Sequence, residues 1–171
     1  IALQHYLSSP AVDQARDKRA VEKLHATILF SDMRGFTSAS FDHNIEDLFH
    51  ALNFSMSFQA DIVLSNEGYV DGFSGDGMLA VFSGNDADFQ AASAAIEIRD
   101  AAKELSVGIW SPIPVGIGLH AGEVMRGDIG SAKRKTFTVL GQAVNIAARL
   151  CGLAKARDII VSTELARNLE D

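Results

Sequence analysis

The sequence predicts an α+β sandwich with helices packed against a mainly antiparallel sheet, and three observations carry that expectation. The chain has 171 residues, enough for one domain with a sizeable core. Hydrophobic residues make up 47% and charged residues 22%, the balance of a packed globular chain. Short β-branched apolar runs alternate with longer amphipathic stretches, in the order strand, helix, hairpin, helix, strand pair, helix, strand.

The elements follow in order. Residues 1–23 read as a connector, broken at Ser8-Ser9-Pro10, with a helix-like stretch from Ala11 to Leu24. Residues 24–171 form the folded domain. Ala26 to Ser31 is a buried strand that ends at Asp32, and Thr37 to Asn44 is a polar loop. Ile45, Leu48, Phe49, Leu52, Met56, Ile62 and Val63 recur at helical spacing until Gly68. Tyr69 to Phe73 and Met78 to Phe82 are strands joined by the tight turn Ser74-Gly75-Asp76-Gly77. The alanine-rich stretch from Ala87 to Leu105 is a second long helix. Val115 to His120 and Glu123 to Ile129 flank Ala121-Gly122 as a hairpin. Lys133-Arg134-Lys135 is a solvated tip, and Thr136 to Leu140 pairs again. Gln142 to Leu153 is a helix, and Asp158 to Ser162 is a final strand.

Charge and cysteine content narrow the function. Fifteen Lys and Arg against 22 Asp and Glu give a net charge of −7, which excludes nonspecific nucleic-acid binding and implies that an anionic ligand needs a metal. The one cysteine, Cys151, excludes an internal disulfide and fits a reduced, cytoplasmic setting. No run is long enough to span a membrane, so no direct membrane contact is expected of this segment. With no initiator Met and no signal-peptide pattern at its start, the chain is expected to be a piece of a longer protein.

Three regions carry chemistry. Asp32 at a strand end and Asp76 at a hairpin tip form an oxygen-ligand site suited to Mg²⁺ or Mn²⁺ if neighbouring strands bring them together. Taken singly, each is equally a cap or a turn former. Met33-Arg34-Gly35-Phe36-Thr37 can turn successive backbone amides inward as a phosphate nest, or serve as an ordinary strand-to-helix loop. Asn145 and Arg149, four residues apart on one helix, can hold a ribose oxygen and neutralise charge on a transferring phosphoryl group; the alternative for Arg149 is plain solvation. Gly72-Phe73-Ser74-Gly75-Asp76 misses the nucleophile elbow at its last position, and the five histidines lack metal-ligand spacing.

Together these regions are more specific. Thr27-Ile28-Leu29-Phe30-Ser31-Asp32-Met33-Arg34-Gly35-Phe36-Thr37, Phe73-Ser74-Gly75-Asp76-Gly77-Met78-Leu79-Ala80-Val81-Phe82, Gly118-Leu119-His120-Ala121-Gly122-Glu123-Val124 and the run from Thr138 to Leu150 resemble the class III nucleotidyl cyclase catalytic domain, in that family's order. The resemblance covers residues 24 to 165. It implies the ferredoxin-like βαββαβ sandwich of that catalytic fold and an adenylate cyclase converting ATP to 3′,5′-cyclic AMP and pyrophosphate. It also implies two Mg²⁺ or Mn²⁺ ions and a homodimer downstream of a sensory or regulatory module.

Residue by residue, the resemblance implies Asp32, Asp76 and the Met33 carbonyl as metal ligands and the amides around Phe36 and Thr37 as the triphosphate loop. Asn145 would orient the ribose and Arg149 would stabilise the transition state. The aspartates would come from one protomer and the Asn–Arg pair from the other. Gly72 stands where adenylate-forming members carry a purine-reading Lys, while Thr138 fits the second base-reading position and favours ATP. The alternatives are a guanylate or relaxed-specificity cyclase and a degenerate nucleotide-sensing or dimerisation domain. The chain ends at Asp171, before the terminal strands where the family usually carries another triphosphate-contacting Lys.

Overall fold

The computed structural model describes residues 21–131 and 133–170. Its elements are β1 (Glu22–Met33), α1 (Phe36–Ala39), α2 (Ile45–Ser65), β2 (Tyr69–Ser74), β3 (Gly77–Ser83), α3 (Ala87–Glu104), β4 (Val115–Ser131), β5 (Arg134–Leu140), α4 (Gln142–Leu153), β6 (Ile159–Val161) and α5 (Thr163–Glu170). The sheet runs β2-β3-β1-β4-β5 with every neighbour antiparallel, and β6 joins β4 in parallel. With α2 between β1 and β2 and α3 between β3 and β4, this is the expected ferredoxin-like βαββαβ sandwich.

Strand alternation divides the core in two. Leu29, Met33, Met78, Ala80, Phe82, Ile117 and Leu119 face α2 and α3, whose Ala51, Val63, Ala91, Ala94, Ala95 and Ile98 complete that layer. Ile28, Val81, Val124 and Val139 point the other way, against Ala143 and Ala147 of α4. The alanines let α3 lie close to the sheet, and Asn44 caps α2 by accepting from the Glu46 amide at 2.8 Å. Between β1 and α2 runs a buried polar ladder. Ser31 Oγ donates to Gln59 Oε1 at 2.6 Å, and Gln59 Nε2 donates to the Ser55 carbonyl and hydroxyl at 3.0 Å each. Because its members satisfy one another, this ladder fixes α2 against β1 one residue before Asp32.

Several sequence expectations change. The hairpin at Ala121-Gly122 does not exist: β4 is continuous, with Ala121 paired to Thr27 and Gly122 to Ala26. Glycine is needed there for close approach instead. A Cβ at Gly118 would lie 2.5 Å from the Ala147 carbonyl oxygen, and one at Gly122 would lie 3.0 Å from the Ala143 Cβ. The helix-like stretch expected through Leu24 gives way to strand from Glu22, where β1 pairs with β4 out to Arg126; residues 11–20 of that stretch lie outside the described residues. The loop from Thr37 contains the short helix α1, and the chain closes with a helix, α5, that was not expected. Leu165 ties α5 to the α3 side of the core. Among the described residues, no helix is long and apolar enough to cross a membrane.

Candidate active site

Asp32 and Asp76 are brought together by the β1–β3 ladder. Asp32 pairs with Gly77, and the Met33 amide donates to the Asp76 carbonyl at 3.2 Å. The turn holding Asp76 depends on Gly75 at φ 59°, a left-handed conformation costly to a residue with a Cβ. Strand alternation turns Asp32 to the α4 side of the sheet, where Arg34 Nε lies 3.0 Å from Asp32 Oδ1. The two atoms form a charge pair out of line for a hydrogen bond, and both are otherwise buried without a hydrogen-bond partner. Burial raises the Asp32 pKa, Arg34 opposes that, and the neighbouring Asp76 charge adds to it. Arg34 also donates to the Cys151 carbonyl at the end of α4, so one guanidinium links the carboxylate to that helix.

Beyond Asp32 the chain turns through Gly35, at φ 77°, into α1. Phe36 and Thr37 form its first turn, which has no side-chain cap, so early amides face outward as at any helix start. Phe36 stacks on Trp110, with ring centroids 6.0 Å apart and planes at 16°, which fixes the turn's orientation.

A third group forms where β2 meets β5, the two ends of the sheet path. The β2–β3 register shifts between Val70 and Gly72, leaving Asp71 in a bulge. Thr138 Oγ1 donates to Asp71 Oδ2 at 2.5 Å. Asp71 Oδ1 is buried with no hydrogen-bond partner, and a Cβ at Gly72 would meet nothing within 4 Å. Burial raises the Asp71 pKa, against hydrogen bonds from Thr138 and the Val139 amide and the charge of Arg126. Arg126 itself is held by Glu22, with Nε 2.6 Å from Oε1, and sits over the Tyr69 ring at 6.0 Å.

Asn145 and Arg149 are both exposed on α4. Each stands two residues beyond a buried alanine, Ala143 or Ala147, roughly 200° round the helix, so both point away from the sheet. One protomer therefore unites Asp32 with Asp76, and Thr138 with the Gly72 region, but turns Asn145 and Arg149 away from the carboxylates. Among the described residues no group of three or more His, Cys, Asp or Glu side chains gathers. Two neighbours of these residues escape the sequence pattern. Arg34 lies in a segment that reads only as a loop, and Asp71 is an acid inside the apolar run from Tyr69 to Phe73, where it breaks the strand pattern.

The model of the adenylate and guanylate cyclase catalytic domain family matches residues 19–171. An adenylate cyclase of Anabaena cylindrica is 34% identical over 153 residues, covering 84% of this chain but 30% of its own length. The chain thus spans under a third of that relative. The guanylyl cyclase Cya2 superposes with a TM-score of 0.80 at 33% identity, over 88% of this chain and 80% of the other. The adenylyl cyclase CyaB from P. aeruginosa gives 0.78 at 26% identity, over 89% and 83%.

Proposed function

Since the chain belongs to the adenylate and guanylate cyclase catalytic domain family, we propose that it cyclises a purine nucleoside triphosphate to the 3′,5′-cyclic monophosphate. The 3′ oxygen attacks the α-phosphorus, the bond from that phosphorus to the β-phosphate oxygen breaks, pyrophosphate leaves, and the hydroxyl proton passes to solvent. The observation that carries this reading is the Asp32 carboxylate, whose buried Oδ1 is ion-paired with Arg34 and has no hydrogen-bond partner, beside Asp76.

The donor set fits a divalent cation. Two carboxylates and the nearby Met33 carbonyl are hard oxygen ligands of the kind Mg²⁺ and Mn²⁺ take, and a carboxylate oxygen without a hydrogen-bond partner has a lone pair free for one. When bound, two such ions supply charge stabilisation to the attacking and leaving oxygens. In this reading the amides at Phe36 and Thr37 bind the phosphates, Asn145 holds the ribose, and Arg149 neutralises charge developing on the transferring phosphoryl group. The outward orientation of Asn145 and Arg149 supports a site shared between two protomers, so the working unit is a homodimer. An upstream regulatory module in the full-length protein belongs to the same reading.

The base is the finer question. The expectation of ATP rested on Thr138 acting toward the purine, but its one hydroxyl proton is donated to Asp71. The test is to incubate the concentrated chain with Mn²⁺ and equal ATP and GTP and to separate the products by chromatography, with Asp76→Ala as control. Cyclic product that disappears in the variant is expected. Nucleotide binding without product, in a verified dimer, would replace the enzyme with a degenerate nucleotide-binding domain, the reading that Gly72 favours.

A further inference from the structure

The purine-reading region of this chain differs from the sequence expectation in what it presents. Gly72 presents nothing, since its side-chain direction is open space. The bulge instead carries Asp71 to the β5 edge, where the carboxylate accepts from Thr138 at Oδ2 and from the Val139 amide, lies near the Arg126 charge, and keeps Oδ1 buried without a hydrogen-bond partner. A buried carboxylate oxygen without a donor is costly unless something else supplies one. Thr138 cannot, because its proton already goes to Oδ2, so toward a ligand its hydroxyl oxygen offers only lone pairs. The pair therefore presents acceptors alone.

Purines answer such a surface differently. Adenine's pairing edge sets one donor, the 6-amino group, beside an acceptor, N1, and that acceptor would face the carboxylate lone pairs. Guanine sets two adjacent donors on the same edge, N1–H and the 2-amino group. We propose that Asp71, positioned by Thr138, reads the base by accepting from these guanine donors, so that GTP is the preferred nucleotide. This rests on the cyclase reading of the site and reverses the expected base.

The probe is displacement of N-methylanthraniloyl-GTP from the intact chain in Ca²⁺, by unlabelled GTP, ITP and ATP. For the wild type the expected order is GTP, then ITP, which keeps N1–H but lacks the 2-amino group, then ATP. GTP should lead ATP by roughly tenfold to a hundredfold, the range of one bidentate base-edge contact. Asp71→Asn puts a donor where an acceptor stood and should erase most of that preference, weakening GTP and, because the amide can now donate to adenine N1, strengthening ATP, with the circular dichroism spectrum unchanged. Equal or tighter ATP binding by the wild type, no binding of any nucleotide, or a preference that survives in Asp71→Asn overturns the proposal. Turnover with Mn²⁺, measured separately, keeps the two readings apart. Product with an unaltered GTP-to-ATP ratio in the variant removes Asp71 and leaves the cyclase, whereas a base preference lost in the variant without product in the wild type does the reverse.

Discussion

Cys151 lies under the last turn of α4 with its Sγ 3.5 Å from the Gly116 carbonyl, and its environment makes the thiol a poor acid. Burial pushes its pKa from 9.0 up to about 12, the Asp32 charge adds to that, and Arg34 opposes it. The consequence for stability has a definite sign. Below the unfolded value both states keep the proton; between the two values the unfolded chain has lost it and the folded chain has not, so stability falls as pH rises through that window. The contribution is at most about 1.4 kcal/mol per pH unit. Denaturant unfolding between about pH 9 and 11 should show a steeper loss in the wild type than in Cys151→Ala, and parallel slopes would contradict it. At this scale legibility depended on locality. Asp32 and Asp76 were each legible, one at a strand end and one in a glycine-flanked turn, but their meeting stood only as a condition, because the β1–β3 pairing that joins them is not a local signal. The partnership of Asp71 with Thr138 spans 67 positions and depends on a bulge that no local pattern announces.

Among the elements, α4 on β4 is the packing whose sequence signal was misread. Ala121-Gly122 resembles a turn because glycine between polar and apolar residues usually marks one. Here the glycines of β4 serve the helix lying over them. Gly118 faces backbone atoms of Ala147 and Cys151 at distances no real Cβ keeps, and backbone cannot rotate aside as a side chain can. Gly118→Ala should therefore cost at least about 1–3 kcal/mol, the usual price of overpacking. Gly152, in the last turn of the same helix, has nothing within 4 Å of its Cβ position. Gly152→Ala should be neutral or stabilising by up to about 1 kcal/mol, since it lowers the entropy of the unfolded chain. Thermal unfolding of the two variants checks the pair. Equal effects would mean that α4 can ride up off the sheet, and the close approach would then set neither the position of Arg34 nor that of Arg149. The long helices α2 and α3 were legible because their apolar spacing covers several turns, whereas α5 is one short amphipathic segment near the chain end.

In the whole molecule, the order of elements was enough to give the sandwich, since strands separated by helices and one tight hairpin leave few ways to cover both faces of one sheet. What the order could not give is how far one protomer completes its own site. The fold sets Asp32 and Asp76 on the sheet and turns Asn145 and Arg149 outward from the helix above it, so a second copy must bring the latter pair to the former if the homodimer reading holds. Mixing separates this from a self-contained site. Asp76→Ala and Arg149→Ala should each be nearly inactive alone, losing about a hundredfold or more in turnover. Mixed in equal amounts and allowed to exchange, half the dimers carry one of each; in those, one site takes the intact aspartates from one chain and the intact arginine from the other, and the second site is doubly impaired. Recovery of about a quarter of wild-type activity is then expected, the arithmetic of a two-fold symmetric dimer with shared sites. If every site were built within one protomer, no mixture of the two variants would contain an intact one, and the activity would remain at the level of the separate variants at every ratio.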